Sequence, residues 1–215
     1  YTRNAGFTRR EIVEKLGITD GGRLSSNLNA LISSDFIIKY VPFGYGKREE
    51  HYKLIDPFCM FHLHFIWNQK KISEKFWQQN VTSASVSIWR GFAFENVCFN
   101  HIEQIKRSLG ISGVQTETSA WSKKEDDTEG TQIDLLISRN DNVINMCEIK
   151  YYSGEFKVNK DYYLKLLKRQ TILAENVSPK VAIHSTLITT FGLIQNEHSG
   201  AFSNVIVLDD LFKEE

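Results

Sequence analysis

What these 215 residues lack narrows the field first. Neither sign of charge is in excess, since 26 Lys and Arg balance 26 Asp and Glu. A uniformly basic coat for nucleic acid is thereby excluded, and any positive surface must be locally arranged. No apolar run approaches the roughly 20 residues that a bilayer requires. The longest, around Phe58 to Trp67, is broken by His62 and His64, so no membrane partner is expected. Cysteine is scarce. Cys59, Cys98 and Cys147 stand far apart in apolar surroundings, a set that builds neither a disulfide framework nor a zinc site and suits buried thiols in a reducing cytoplasm. The chain opens Tyr1-Thr2-Arg3, with no Met and no signal-peptide pattern, which sets the expectation of a cytoplasmic fragment of a longer protein. The remainder is ordinary globular material, 41% hydrophobic and 24% charged, long enough for one large domain or two small ones.

Thr8-Arg9-Arg10-Glu11 fits a capping box, in which the Thr and Glu side chains satisfy each other's free backbone donors. Ile12, Val13 and Leu16 continue as an apolar stripe, and Gly17 suits a left-handed stop. After a turn, Leu24, Leu28, Leu31 and Ile32 recur at helical spacing. Phe36 to Val41 and Glu50 to Leu54 then read as a hairpin around Pro42 and Gly44-Tyr45-Gly46. Helix, turn, helix and hairpin outline a winged helix-turn-helix, whose second helix enters the major groove while the wing touches the backbone. Arg23, Ser25, Ser26, Asn27 and Asn29 on that helix, with Lys47 and Arg48 at the wing tip, are the candidate DNA contacts. A dimerisation or spacer module has the same outline, and Glu49 and Glu50 dilute the wing's charge. The P-loop pattern is absent, so no nucleotide-binding loop lies in this chain.

Asp56 to about Trp77 reads as helical and aromatic. His62 and His64 diverge by about 200° on a helix, which suits packing or surface roles better than a shared metal. Gln78 to Ser87, polar and small, predicts a linker. A long helix is expected over Trp89 to Ser108, a strand over Val114 to Trp121, and a solvated charged loop over Lys123 to Gly130.

The chemistry concentrates next. Thr131 to Ile137 and Val143 to Lys150 flank the turn Asn140-Asp141-Asn142, predicting a β-hairpin centred on Asp141. That register sets Asp134 opposite Glu148, Gln132 opposite Lys150 and Leu136 opposite Met146, while Ile133, Leu135, Cys147 and Ile149 share the other face. Opposed side chains have Cβ atoms about 4.5–5.5 Å apart, where like charges repel. Two facing carboxylates therefore call for a shared proton or a cation. A magnesium ion held by Asp134, Glu148, the Ile149 carbonyl and waters would meet that ion's preference for hard oxygen donors. With Lys150 on the same face to orient water or neutralise charge, this is the chemistry of phosphodiester hydrolysis. The plain alternative is a surface ion pair of Glu148 with Lys150, worth under about 1 kcal/mol.

Asp134, a spacer, then Glu148-x-Lys150 on the next strand resembles the PD-(D/E)XK nuclease signature. The resemblance implies a restriction-endonuclease-like mixed sheet and, from the preceding helix, a Glu that completes the site, matched by Glu95 in Gly91-Phe92-Ala93-Phe94-Glu95. Ile133 stands where the pattern has a proline, a departure that leaves the metal site intact. Nearly the whole chain is similar to the C-terminal part of a family of archaeal and bacterial AAA+ superfamily ATPases. Thr8-Arg9-Arg10-Glu11-Ile12, Leu16-Gly17, Tyr40-Val41-Pro42-Phe43-Gly44, Tyr52 to Phe58 and Gly91 to Glu95 carry that similarity. It implies an ATPase module upstream, acting in cis and binding ATP there rather than here.

Lys160 to Asn176 predicts a helix with Tyr163, Leu166, Leu167 and Gln170 toward the core. Lys165, Lys168 and Arg169 on it would track a phosphate backbone or simply face solvent. Lys180 to His184 and Asn204 to Leu208 read as further buried strands, the first parallel to its neighbour through the helix crossover. The expected organisation is α+β and α/β: a winged helix over 1–56, a helical connector over 57–87 and a nuclease-like domain over 88–215. The expected function is a DNA-binding, magnesium-dependent nuclease module of an ATPase. A catalytically inactive scaffold that binds DNA or protein and regulates the ATPase is the alternative, and a lid that tunes ATP hydrolysis is a third.

Overall fold

Thr8 starts the first helix for the reason its sequence gives. The computed structural model describes residues 6–67, 73–125 and 128–213, apart from the side chains of Lys47 and residues 122–131. In it Thr8 and Glu11 complete the capping box of α1 (Arg9–Leu16), and Gly17 closes that helix at φ 60°, a left-handed conformation in which glycine has no Cβ to clash. Helix α2 (Gly22–Ser33) buries Leu24 and Leu28. Strands β2 (Ile37–Tyr40) and β3 (His51–Leu54) pair antiparallel, Ile37 opposite Leu54 and Tyr40 opposite His51. A further strand, β1 (Phe7–Thr8), adds to the other edge of β3. Gly6 leads into it at φ +67°, where a Cβ would collide with the Tyr52 carbonyl.

Helix α3 (Pro57–Phe61) begins at Asp56, whose carboxylate accepts the Cys59 N–H at 2.6 Å, and runs into a π-helical turn, His62–Ile66. His62 packs against Phe58 and Trp67, and His64 Nε2 lies 3.0 Å from Ser85 Oγ, so these histidines take packing and surface roles. The expected linker over 78–87 is corrected. Its residues end α4 (Phe76–Asn80) and open α5 (Ala84–Asn100), because Ser83 Oγ accepts the Val86 N–H at 3.3 Å and turns a polar stretch into a helix start. The single helix expected over 89–108 is broken at His101, after which α6 (Ile102–Ser108) restarts.

Strands β4 (Thr116–Glu125), β5 (Thr128–Arg139), β6 (Val143–Lys150), β7 (Ala182–Thr189) and β8 (Asn204–Val207) form one sheet in that order. β5 pairs antiparallel with both β4 and β6, and β6, β7 and β8 run parallel, with α7 (Lys160–Ala174) as the crossover between β6 and β7. The charged loop expected over 123–130 is strand on both sides, while residues 126 and 127 lie outside the described ones. Leu136, Ile144 and Met146 from the sheet and Leu166, Ile172 and Leu173 from α7 form the core. Leu167, expected inward, is exposed.

The architecture is mixed α and β, with a five-stranded mixed sheet and seven α-helices among the described residues. The chain divides into two units. One contains the residues up to Val41 with Gly46–Asn100, the other Pro42–Tyr45 with His101 onward. The division falls after α5, so that helix belongs wholly to the first unit. The turn expected at the wing tip is split as well. Pro42–Tyr45 belong to the second unit, where Phe43 N–H donates to the Ala120 carbonyl at 3.0 Å. No described helix is long and apolar enough to cross a membrane.

Candidate active site

The β5–β6 hairpin builds the site. Arg139 clasps Asp141 at the turn, Nε to Oδ1 at 2.9 Å, and Asn142 turns the chain at φ 62°. The ladder then pairs Ser138 with Ile144, Ile137 with Asn145, Leu136 with Met146 and Leu135 with Cys147, the register centred on Asp141. Pairing stops there. Asp134 and Glu148, expected as the next opposed pair, are not ladder partners, nor are Gln132 and Lys150. β6 stays bound to β7 as far as Lys150 opposite Thr189, and β5 stays bound to β4 at Ile133 opposite Trp121. The sheet therefore opens between β5 and β6. Asp134 Oδ2 spans the opening and accepts the Ile149 N–H at 3.1 Å, replacing a lost ladder bond.

Glu148 is fully buried, and its donors among the described residues converge on one oxygen. Oε2 accepts the Tyr162 hydroxyl at 2.9 Å and Arg169 Nη1 at 2.6 Å, with Lys150 Nζ at 3.5 Å. Oε1 is buried without a hydrogen-bond partner among the described residues, an uncommon and costly state. Lys150 Nζ stands between the two acids. It donates to Asp134 Oδ2 at 3.3 Å and to the Ile149 carbonyl at 3.2 Å. Burial opposes the Lys150 charge, but attraction to Asp134 and then Glu148 outweighs it and raises its pKa. The Arg169 pKa is raised on the same balance, burial against Glu148. Burial first, then the Glu148 charge, pushes the Tyr162 phenol and the Cys147 thiol upward, so both stay protonated near neutrality.

This geometry suits a cation in a limited way. Each carboxylate has one oxygen held by protein donors and one, Asp134 Oδ1 and Glu148 Oε1, with no hydrogen bond from the described residues. No cluster of three or more His, Cys, Asp or Glu side chains occurs among the described residues. A divalent ion here would keep several waters, which is magnesium's habit. The Ile149 carbonyl, expected as a ligand, already accepts from Lys150 and has one lone pair to spare.

The structure brings Asp134, Glu148, Ile149 and Lys150 together. Glu95 belongs to the first unit, its carboxylate 3.9 Å from Lys53 Nζ. Arg169, expected beside Lys168 on a phosphate-facing surface, instead points to Glu148, while Lys168 is exposed. Arg23, Ser26 and Asn29 lie on the exposed side of α2, and Ser25 Oγ approaches its own Gly21 carbonyl at 3.5 Å. Asn27 is exposed at the edge of an apolar cavity of about 410 Å³ bounded by Ile12, Leu28 and Phe92. Arg48 is exposed in a short 3-10 turn, Lys47–Glu49, and the Lys47 side chain lies outside the described ones. Glu49 turns back to accept the Gly46 N–H, and Glu50 pairs with Lys39 at 3.1 Å. Sequence reasoning missed Tyr162. The signal was present, because Tyr162, Leu166, Arg169 and Leu173 recur at i, i+4, i+7 and i+11 and put two polar heads on the buried face of α7.

No family model matches this chain, and no curated protein does. A solved structure described as "Crystal Structure of Protein of Unknown Function AF1548" is similar at 13% identity with a TM-score of 0.35, over 54% of this chain and 64% of that one.

Proposed function

We propose that this chain is a metal-dependent nuclease module that docks on DNA. One observation carries the reading: at the mouth of a split sheet two carboxylates flank a single amine, and the buried one keeps an oxygen with no donor among the described residues. Magnesium, when bound, would polarise a phosphodiester and acidify a water. The chain's own groups do the rest. Asp134 and Glu148 hold the cation, Lys150 orients the attacking water and meets developing negative charge, and Tyr162 and Arg169 fix the Glu148 carboxylate. Glu95, paired with Lys53, is left out of this set. The order of helices and hairpin in the first unit supports a winged helix, with Arg23 and Arg48 exposed to meet phosphates. The split hairpin and its D…ExK residues support a PD-(D/E)XK fold in the second. The running similarity to AAA+ proteins supports an ATPase partner in cis.

The test is nicking of plasmid DNA in magnesium or manganese. Wild type should nick, and Asp134→Ala and Lys150→Ala should each lose at least about a hundredfold in rate, the usual weight of one such group. Cleavage that survives both changes would remove the site from the chemistry. A second reading is favoured by Arg169, which at 2.6 Å already neutralises Glu148. On it the cluster is a closed ion-pair network and the unit is a scaffold for DNA or protein. Salt-sensitive DNA binding with no nicking in either metal would select it.

A further inference from the structure

We infer that Arg169 makes metal and phosphate bind together at this site, so that a divalent cation is held weakly alone and firmly only with nucleic-acid backbone. The inference rests on the nuclease reading and deepens it. The cluster contains two carboxylates, Asp134 and Glu148, and two cations, Lys150 and Arg169, while Tyr162 is a neutral donor. Among the described residues the charges of this cluster are thus already balanced. A divalent ion placed on Asp134 Oδ1 and the buried Glu148 Oε1, the two carboxylate oxygens without a donor among the described residues, adds two positive charges beside an ammonium and a guanidinium, in a setting screened far less than the surface.

The layering points the same way. The acids lie deep, with side chains 0% exposed for Glu148 and 11% for Asp134. The cations lie above them, 27% exposed for Arg169 and 31% for Lys150. An ion approaching from solvent meets positive groups first, whereas a phosphate meets the partners it favours. Each phosphodiester supplies one negative charge and so offsets part of the incoming cation. Coupling of this kind is reciprocal: whatever phosphate gives to metal affinity, metal gives to phosphate affinity. Arg169 is therefore a positioning residue that sets the charge of the site.

The experiment follows manganese uptake by electron paramagnetic resonance, with and without a phosphorothioate DNA duplex. Asp134→Ala with the same duplex gives the background carried by DNA itself. Wild type should bind manganese at least about tenfold more tightly with DNA than without, a lower bound close to what one unit charge about 4 Å away contributes even under nearly bulk-water screening. Arg169→Gln should tighten manganese binding without DNA by at least about tenfold and shrink the gain from DNA. Arg169→Lys, which keeps the charge, should restore wild-type behaviour, and Tyr162→Phe should preserve the coupling. If Arg169→Gln binds manganese no better or worse than wild type, Arg169 only holds Glu148 and the inference falls while the nuclease reading stands. If no variant takes up manganese above background in either condition, both fall.

Discussion

At the scale of single residues the decisive feature is the unequal treatment of the two Glu148 oxygens. Tyr162, Arg169 and Lys150 all address Oε2. That arrangement fixes the carboxylate's orientation and gives its other oxygen a defined place. Tyr162 reports on it directly. Burial and the neighbouring carboxylate raise its pKa, so the folded protein keeps the phenol proton at a pH where the unfolded chain, near 10, has released it. Stability from this group is whole below about pH 10 and is lost as pH rises further. Lys150 works in the same direction, since its raised pKa gives stability that is whole below the ordinary lysine value and fades above it. Two outcomes are expected. The ultraviolet phenolate titration of folded wild type should match that of Tyr162→Phe up to about pH 11, with the missing phenol emerging only on unfolding. The melting temperature of Tyr162→Phe should also fall less steeply than that of wild type between about pH 10 and 11. A phenolate from Tyr162 titrating in the folded protein near 10 would show that the Glu148 clamp is absent in solution.

At the scale of elements, the site exists because two strands part. Asp134 serves twice there, as acceptor for the Ile149 N–H and as a charge beside Lys150. Asp134→Asn keeps an acceptor and Asp134→Ala keeps neither. Urea unfolding should therefore place Asp134→Ala about 1–3 kcal/mol below wild type, the cost of an orphaned buried amide, with Asp134→Asn in between. Both should lose metal binding. Equal stability of all three would deny the bond across the opening. The strands leading to this point were legible in sequence, since the Asn140-Asp141-Asn142 turn fixed the register and the apolar alternation fixed the faces. The opening was not, because ideal pairing extended past Leu135 predicts opposed acids, and only the local chain path shows that Asp134 bonds to backbone instead. β1 escaped notice because two residues are too few for an alternation. Arg169 escaped because a basic residue on an amphipathic helix suggests solvent until a buried acid opposite it is known.

At the scale of the molecule, charge argues for local rather than global attraction. Twenty-six cations against 26 anions leave no long-range field to draw in a polyanion, so affinity for DNA has to come from particular groups. In the first unit Arg23 on α2 and Arg48 in the turn before β3 are exposed, whereas Lys39 is committed to Glu50 and Arg9 to Asp20. In the second unit Lys168 is exposed on α7. Each phosphate contact releases condensed counterions and adds close to one unit to the slope of log affinity against log salt. Fluorescence anisotropy with duplex DNA across a salt series should thus give a small slope for wild type. Arg23→Ala, Arg48→Ala and Lys168→Ala should each lower it by about one and weaken unrelated sequences alike. Arg9→Ala should leave the slope unchanged, because that guanidinium is spent on Asp20 at 2.7 Å. If the slope ignores Arg23 and Arg48 but responds to Lys168, the backbone is gripped by the unit that contains the split sheet, and the first unit serves a different partner.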